Sequence, residues 1–194
     1  MVLEEKGRYV VKARIIEFLS QYGLPPEIAI LVVAILPIFE LRGAIPVGIN
    51  YLGLPWPSVF LFAVLGNMIP VPLLLIVFNR LVRIGEKIKF FRKILTRTER
   101  RGKVVDHYKM LGLIIFVGIP LPVTGAWTGA LAARIFGIPF LKAMLGILGG
   151  VLIAGVIVTT LSLLGVIGAI IAALVLFAIV IRPVVQNQGV LGKS

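Results

Sequence analysis

The sequence predicts an all-α integral membrane protein of two inverted repeats, each a re-entrant or broken helical hairpin plus a transmembrane helix, with an extra C-terminal span. Three observations predict it. Of the 194 residues, 59% are hydrophobic and 14% charged, and the mean hydropathy is +1.09, which is too apolar for a globule that must wet its surface. The stretches 55–79, 110–133 and 143–181 each reach the ~20 apolar residues that a ~30 Å hydrocarbon core demands. Two apolar segments, 28–54 and 110–141, are interrupted by proline and glycine in a pattern that recurs along the chain.

Residues 1–24 mix charge with Val10, Ile15, Ile16, Phe18 and Leu19 and stop at Gly23-Leu24-Pro25-Pro26, which reads as a short interfacial helix. This start has no long apolar run, so a cleaved leader is not expected. The first repeat covers 28–79. Its hairpin, 28–54, carries Pro37, Glu40, Arg42, Gly43, Pro46 and Gly48 in the middle, and its span, 55–79, opens at Trp56 and holds two kink-forming prolines, Pro70 and Pro72.

Residues 80–109 hold eleven of the twenty basic side chains against three acids. Short Lys/Arg-rich loops stay on the cytoplasmic side, so this segment orients the chain in the membrane. Within it Ile84, Ile88, Phe91 and Leu95 make an apolar stripe suited to anionic lipid, and Thr96 to Glu99 has capping-box spacing for a loop helix. The second repeat covers 110–164, as a hairpin 110–141 and a span 143–164. Residues 143–181 carry no charge; as one straight helix they would be roughly 58 Å long. Gly165 and Gly168 are therefore the expected turn into a C-terminal span, 165–181.

The repeat is visible in the letters. Gly43-Ala44 matches Gly125-Ala126, Gly53-Leu54-Pro55-Trp56 matches Gly137-Ile138-Pro139-Phe140, and Leu65-Gly66 has a partner near Gly149-Gly150. A hairpin plus one span gives each half an odd number of crossings, which would place the copies in opposite orientations with their tips meeting near the midplane. Two unrelated Gly/Pro-rich stretches are the alternative.

The residues able to carry chemistry are few. Glu40 is the one acid within an apolar stretch, two residues from Arg42, and a charge at membrane depth costs about 3 kcal/mol or more, so both should face protein or water. They read either as an ion-coupling carboxylate with an anion-binding guanidinium, or as an ion pair that holds the turn. Gly43 and Pro46 shape that first tip. Thr124, Gly125, Trp127 and Thr128 surround the second, where Trp127 could instead anchor at an interface. Arg134 lines the same cavity or snorkels, and Asn67 is polar at span depth, bonded to the first tip or only to a neighbouring helix.

Function classes are excluded by what is missing. There is no cysteine, His107 is the single histidine, and no nucleotide loop or metal-spaced cluster occurs, so no metal, no cofactor and no catalytic set is expected. The basic charge sits in one loop, which argues against a nucleic-acid partner.

Two motifs, Pro37-Ile38-Phe39-Glu40-Leu41-Arg42-Gly43-Ala44-Ile45-Pro46 and Pro120-Leu121-Pro122-Val123-Thr124-Gly125-Ala126-Trp127, resemble those of the small multi-drug export protein family over roughly residues 30–165. More distantly the chain is similar to DedA-like membrane proteins, whose re-entrant hairpins, acids and arginines are associated with moving lipid-phosphate head groups between leaflets. It departs from them in having no Arg beside the second-tip proline. The residues and the resemblance together point to a small secondary transporter of the cell membrane, multi-pass and ion- or proton-coupled through Glu40, with membrane lipids as partners. Two arginines against one acid favour an anionic amphiphile such as a lipid phosphate as substrate. The alternatives are a multidrug exporter of lipophilic cations and a non-transporting scaffold. A chain this small also suggests a homodimer.

Overall fold

In the computed structural model, residues 21–85, 103–121, 124–175 and 177–178 are described, and all regular elements among them are helical. The interfacial helix expected at 1–24, the loop helix near Thr96, the apolar stripe from Ile84 to Leu95 and the C-terminal span beyond 178 lie wholly or mainly outside the described residues.

Helix α1, Glu27–Ile35, follows Pro25-Pro26 and ends at Leu36, whose ψ of 132° is extended. Pro37 imposes that end, because a proline ring pushes the preceding residue out of helical geometry. The chain turns through 36–39 and re-enters helix as α2, Glu40–Pro46. Pro46 lacks the N–H that would continue the ladder, and the helix widens into a π turn, Val47–Tyr51, with Leu52 N–H donating to Val47 O at 2.8 Å.

A corner at Gly53-Leu54-Pro55 leads into α3, Trp56–Met68. One residue, Ile69, separates α3 from α4, Pro70–Gly85. Pro70 and Pro72 cannot donate, so the carbonyls of Gly66 and Met68 lose their helical partners there. Trp56–Phe78 nonetheless forms 23 continuous residues of mean hydropathy 2.4, long and apolar enough to cross a membrane. Helix α5, Lys103–Gly118, and a turn through Pro120 precede α6, Ala126–Ile135. Helix α7, Phe140–Leu163, is the second segment able to cross, with 24 residues of mean hydropathy 2.3. Gly165, at φ +57°, turns the chain into α8, Gly165–Val175.

The basic segment is less of a loop than its charge suggests. Residues 80–85 continue α4 and 103–109 begin α5. Apolarity marks the depth of membrane a helix can occupy, and the backbone ladder runs past that limit.

Corresponding positions in the two halves share backbone and packing. Gly53 and Gly137 both adopt positive φ, +68° and +65°, and Pro55 and Pro139 both cap the following helix in extended conformation. Helix α1 packs on α3, and α5 packs on α7. Gly66 admits the first contact: a Cβ there would fall on Leu31 O and lie 2.9 Å from Ala34 Cβ. Gly150 admits the second, since a Cβ there would lie 2.6 Å from Val117 Cβ and 2.9 Å from Ile114 O. Such small residues let helix backbones meet where lipid supplies no hydrophobic drive.

The halves interlock, α2 lying on α7 and α6 on α4. The buried core runs from Ile30, Leu41 and Ile45 through Val59 and Leu75 to Val117, Ile138 and Ile147. Outside it, α7 turns Leu141, Leu145, Ile153 and Val156 outward. A helix that is apolar on its outer as well as its inner face suits lipid rather than water.

Candidate functional site

Two chain breaks create the site. The Pro37 turn ends α1 and starts α2 at Glu40, and the Pro120 turn ends α5 and starts α6 at Ala126. The two turns meet in the core.

Glu40 stands at φ +45°, the left-handed region that costs an L-residue roughly 1–2 kcal/mol. Its N–H donates to Leu36 O at 2.9 Å, and only 6% of the residue is exposed. This backbone carries the carboxylate across to the other half. There Oε1 accepts from the Trp127 N–H at 3.3 Å, with the Ala126 N–H also facing the carboxylate. These are orphan donors of the first turn of α6, and the helix dipole favours an anion at that end. Gly125 makes room: a Cβ there would fall on Glu40 Oε2 and lie 2.6 Å from its Cδ. Since Gly125 has φ 168°, an extended conformation open to any residue, the requirement for glycine is one of space.

Arg42, two residues further along α2, reaches the same turn. Its Nη2 lies 3.7 Å from Glu40 Oε2 and donates to Thr124 Oγ1 at 3.3 Å, while Nη1 donates to Leu121 O. Nε is buried without an acceptor. The Thr124 hydroxyl donates to Ile119 O at 2.6 Å and accepts from the Leu121 N–H at 3.1 Å as well as from Arg42. Its one donor and two acceptor positions are thereby filled. Trp127 closes the arrangement, its Nε1 donating at 3.2 Å to Ile35 O at the end of α1. The ring is therefore tied to the first break and packed on the core.

Five of the sequence candidates, Glu40, Arg42, Thr124, Gly125 and Trp127, thus come together. Gly43 lies under Phe39, whose Cβ would be 2.9 Å from a Cβ at 43, and Thr128 donates to Gly125 O at 3.3 Å within its own turn. Arg134 sits at the far end of α6, about 12 Å along the axis from Ala126, and donates to Ile138 O at 3.3 Å. It is thus at the Gly137 corner rather than at the tips. Asn67 is 1% exposed, and neither its Oδ1 nor its Nδ2 has a hydrogen-bond partner.

Beside the tips lies a cleft of about 570 Å³ between α2, the Pro120 turn and the α7–α8 corner. Among the described residues Arg42 is the one charged side chain that lines it, with Pro46, Asn50 and Ser162 nearby and the other described lining residues apolar. Asn50 and Ser162 were not among the sequence candidates. Asn50, in Gly48-Ile49-Asn50-Tyr51, is a polar residue in an apolar run and could have been singled out on the ground that served for Asn67. The carbonyls of Ile35, Ile119 and Leu121 carry no side-chain signal at all. No group of three or more His, Cys, Asp or Glu that could hold a metal occurs among the described residues.

No curated protein and no solved structure matches the chain. A family model does, the one described as "Putative small multi-drug export protein", over residues 40–157. That match starts at Glu40, takes in both tips and extends over more than half of the chain, which therefore belongs to the small multi-drug export protein family.

Proposed function

We propose that the protein is a secondary transporter that moves an anionic amphiphile of the lipid-phosphate class across the cell membrane, with Glu40 exchanging a proton and Arg42 attracting the head group. One observation carries this reading: the guanidinium of Arg42 both grips the second tip and supplies the only charge among the described residues on the wall of the apolar cleft. An amphiphile with a negative head and an apolar tail matches such a surface.

The two halves are inferred to be inverted repeats whose tips re-enter the membrane and meet near its midplane. The shared positive φ at Gly53 and Gly137 and the paired close approaches at Gly66 and Gly150 support this. Irregular backbone at membrane depth is tolerated where protein or a cavity satisfies it, and the Pro37 and Pro120 turns satisfy each other.

The family description favours a second reading, export of drugs, which for lipophilic cations would need an acid on the cleft wall. Glu40 instead faces the α6 amides. The readings separate on thermal stabilisation of the purified protein by polyprenyl phosphate and by lipophilic cationic drugs. Stabilisation by the phosphate, lost in Arg42→Ala, is the expected result; stabilisation by cations that requires Glu40 would establish the drug reading instead.

A further inference from the structure

The cleft beside Arg42 has a size and a pattern of polar groups that define its occupant more narrowly. Its 570 Å³, at roughly 30 Å³ for a group the size of a water molecule or methylene, holds about nineteen such groups. A phosphate head uses about five, which leaves space for one chain of about fourteen carbons. A second chain of that length would have to lie outside this volume, on the open side of the cleft.

Among the described residues the polar lining is confined to one part of the cleft. Arg42 stands on α2, Asn50 follows on the π turn, and Ser162 faces them from the last turn of α7. Single π turns re-register the side chains that follow them and occur frequently at functional sites. This one brings an amide, able to donate to a head-group oxygen, to the wall that carries the guanidinium. From there the wall is apolar along α8, through Gly168, Ala169 and Ala172. Gly168 holds α8 against α7, since a Cβ there would fall on Leu161 O and lie 2.7 Å from Leu161 C.

We infer that the cleft is a binding site for a single-chain anionic amphiphile, with Asn50 and Ser162 as head-group ligands beside Arg42 and the chain laid along α8. This rests on the anion reading of the site and adds to it the number of chains and two specificity residues.

The test measures binding of tetradecyl phosphate, ditetradecyl phosphate and tetradecyltrimethylammonium to the full-length protein in a non-ionic detergent. Ala172→Phe fills the cleft from its exposed wall, Asn50→Leu removes the amide, and Val166→Phe, at an exposed position of α8 that does not line the cleft, is the control. The expected result is that tetradecyl phosphate binds at least tenfold more tightly than the two-chain compound. Ala172→Phe and Asn50→Leu should each weaken it about tenfold with the unliganded melting temperature unchanged, and Val166→Phe should leave it alone. Equal binding of one-chain and two-chain phosphates overturns the chain assignment. Wild-type affinity in both Ala172→Phe and Asn50→Leu, with loss in Arg42→Gln, overturns the cleft while sparing the anion reading. Binding of the ammonium compound alone overturns both.

Discussion

The carboxylate of Glu40 occupies the space in which a side chain at Gly125 would begin, so an acid from one half of the molecule and a glycine from the other, 85 positions later, form a single fitted contact.

Gly125→Ala should therefore destabilise the protein by roughly 1–3 kcal/mol, the ordinary cost of an extra methyl in a full site. Because the backbone at Gly125 is extended, the cost is steric. Glu40→Ala in the same chain should remove most of it. A double-mutant cycle on thermal unfolding measures the coupling; additive effects would show that the two residues do not share space.

Arg42→Lys should behave as a loss rather than a conservative change. A single ammonium cannot reproduce a fork that reaches Leu121 O and Thr124 Oγ1 together. Thr124→Val removes the acceptor of one arm, and hydrogen bonds to charged groups are worth about 1.5–3 kcal/mol. Unfolding of Arg42→Lys, Thr124→Val and the pair should show a non-additive combination.

The glycines on the two spans differ in a way that melting temperatures can read. Gly66→Ala and Gly150→Ala press a methyl into the facing helix and should each lower stability. Gly112→Ala, with nothing within 4 Å of the added Cβ, should be neutral or stabilising by up to about 1 kcal/mol, as expected for alanine in a helix interior.

Trp127→Phe keeps the ring and removes the bond from Nε1 to Ile35 O. The expected cost is about 1 kcal/mol. In a Trp56→Phe background Trp127 is the remaining tryptophan, so its emission reports on the tips directly. A water-exposed emission maximum would contradict its placement against the core.

Much of this site was legible in the sequence for one physical reason, the expense of charge at membrane depth. Glu40 and Arg42 stood out as the isolated charges of the first apolar run, and the matching Gly-Ala pairs pointed to Gly125 with its neighbours Thr124 and Trp127. What joins them was not legible. Leu121, Ile119 and Ile35 contribute carbonyls, and a carbonyl becomes available through a chain break rather than through a residue type. Arg134 carried the same signal as Arg42, yet helix length alone sets it at the opposite end of α6. Ser162 was hidden because a hydroxyl in a span commonly bonds its own helix, as Thr160 does to Val156 O at 2.9 Å. The positive φ of Glu40, which directs its carboxylate to α6, is a property of the Pro37 turn that no spacing rule announces.

Transport in proteoliposomes shows whether these tips carry an anion and exchange a proton through Glu40. The measurement is uptake of a fluorescent single-chain phosphate and of a lipophilic cation, with and without a pH gradient, by wild type and by Glu40→Gln, a variant that keeps an acceptor for the Trp127 N–H. The expected result is gradient-driven uptake of the phosphate by wild type, none of the cation, and a Glu40→Gln protein that folds with its melting temperature nearly intact and no longer responds to the gradient. Gradient-driven movement of the cation, or undiminished phosphate uptake by Glu40→Gln, would contradict it.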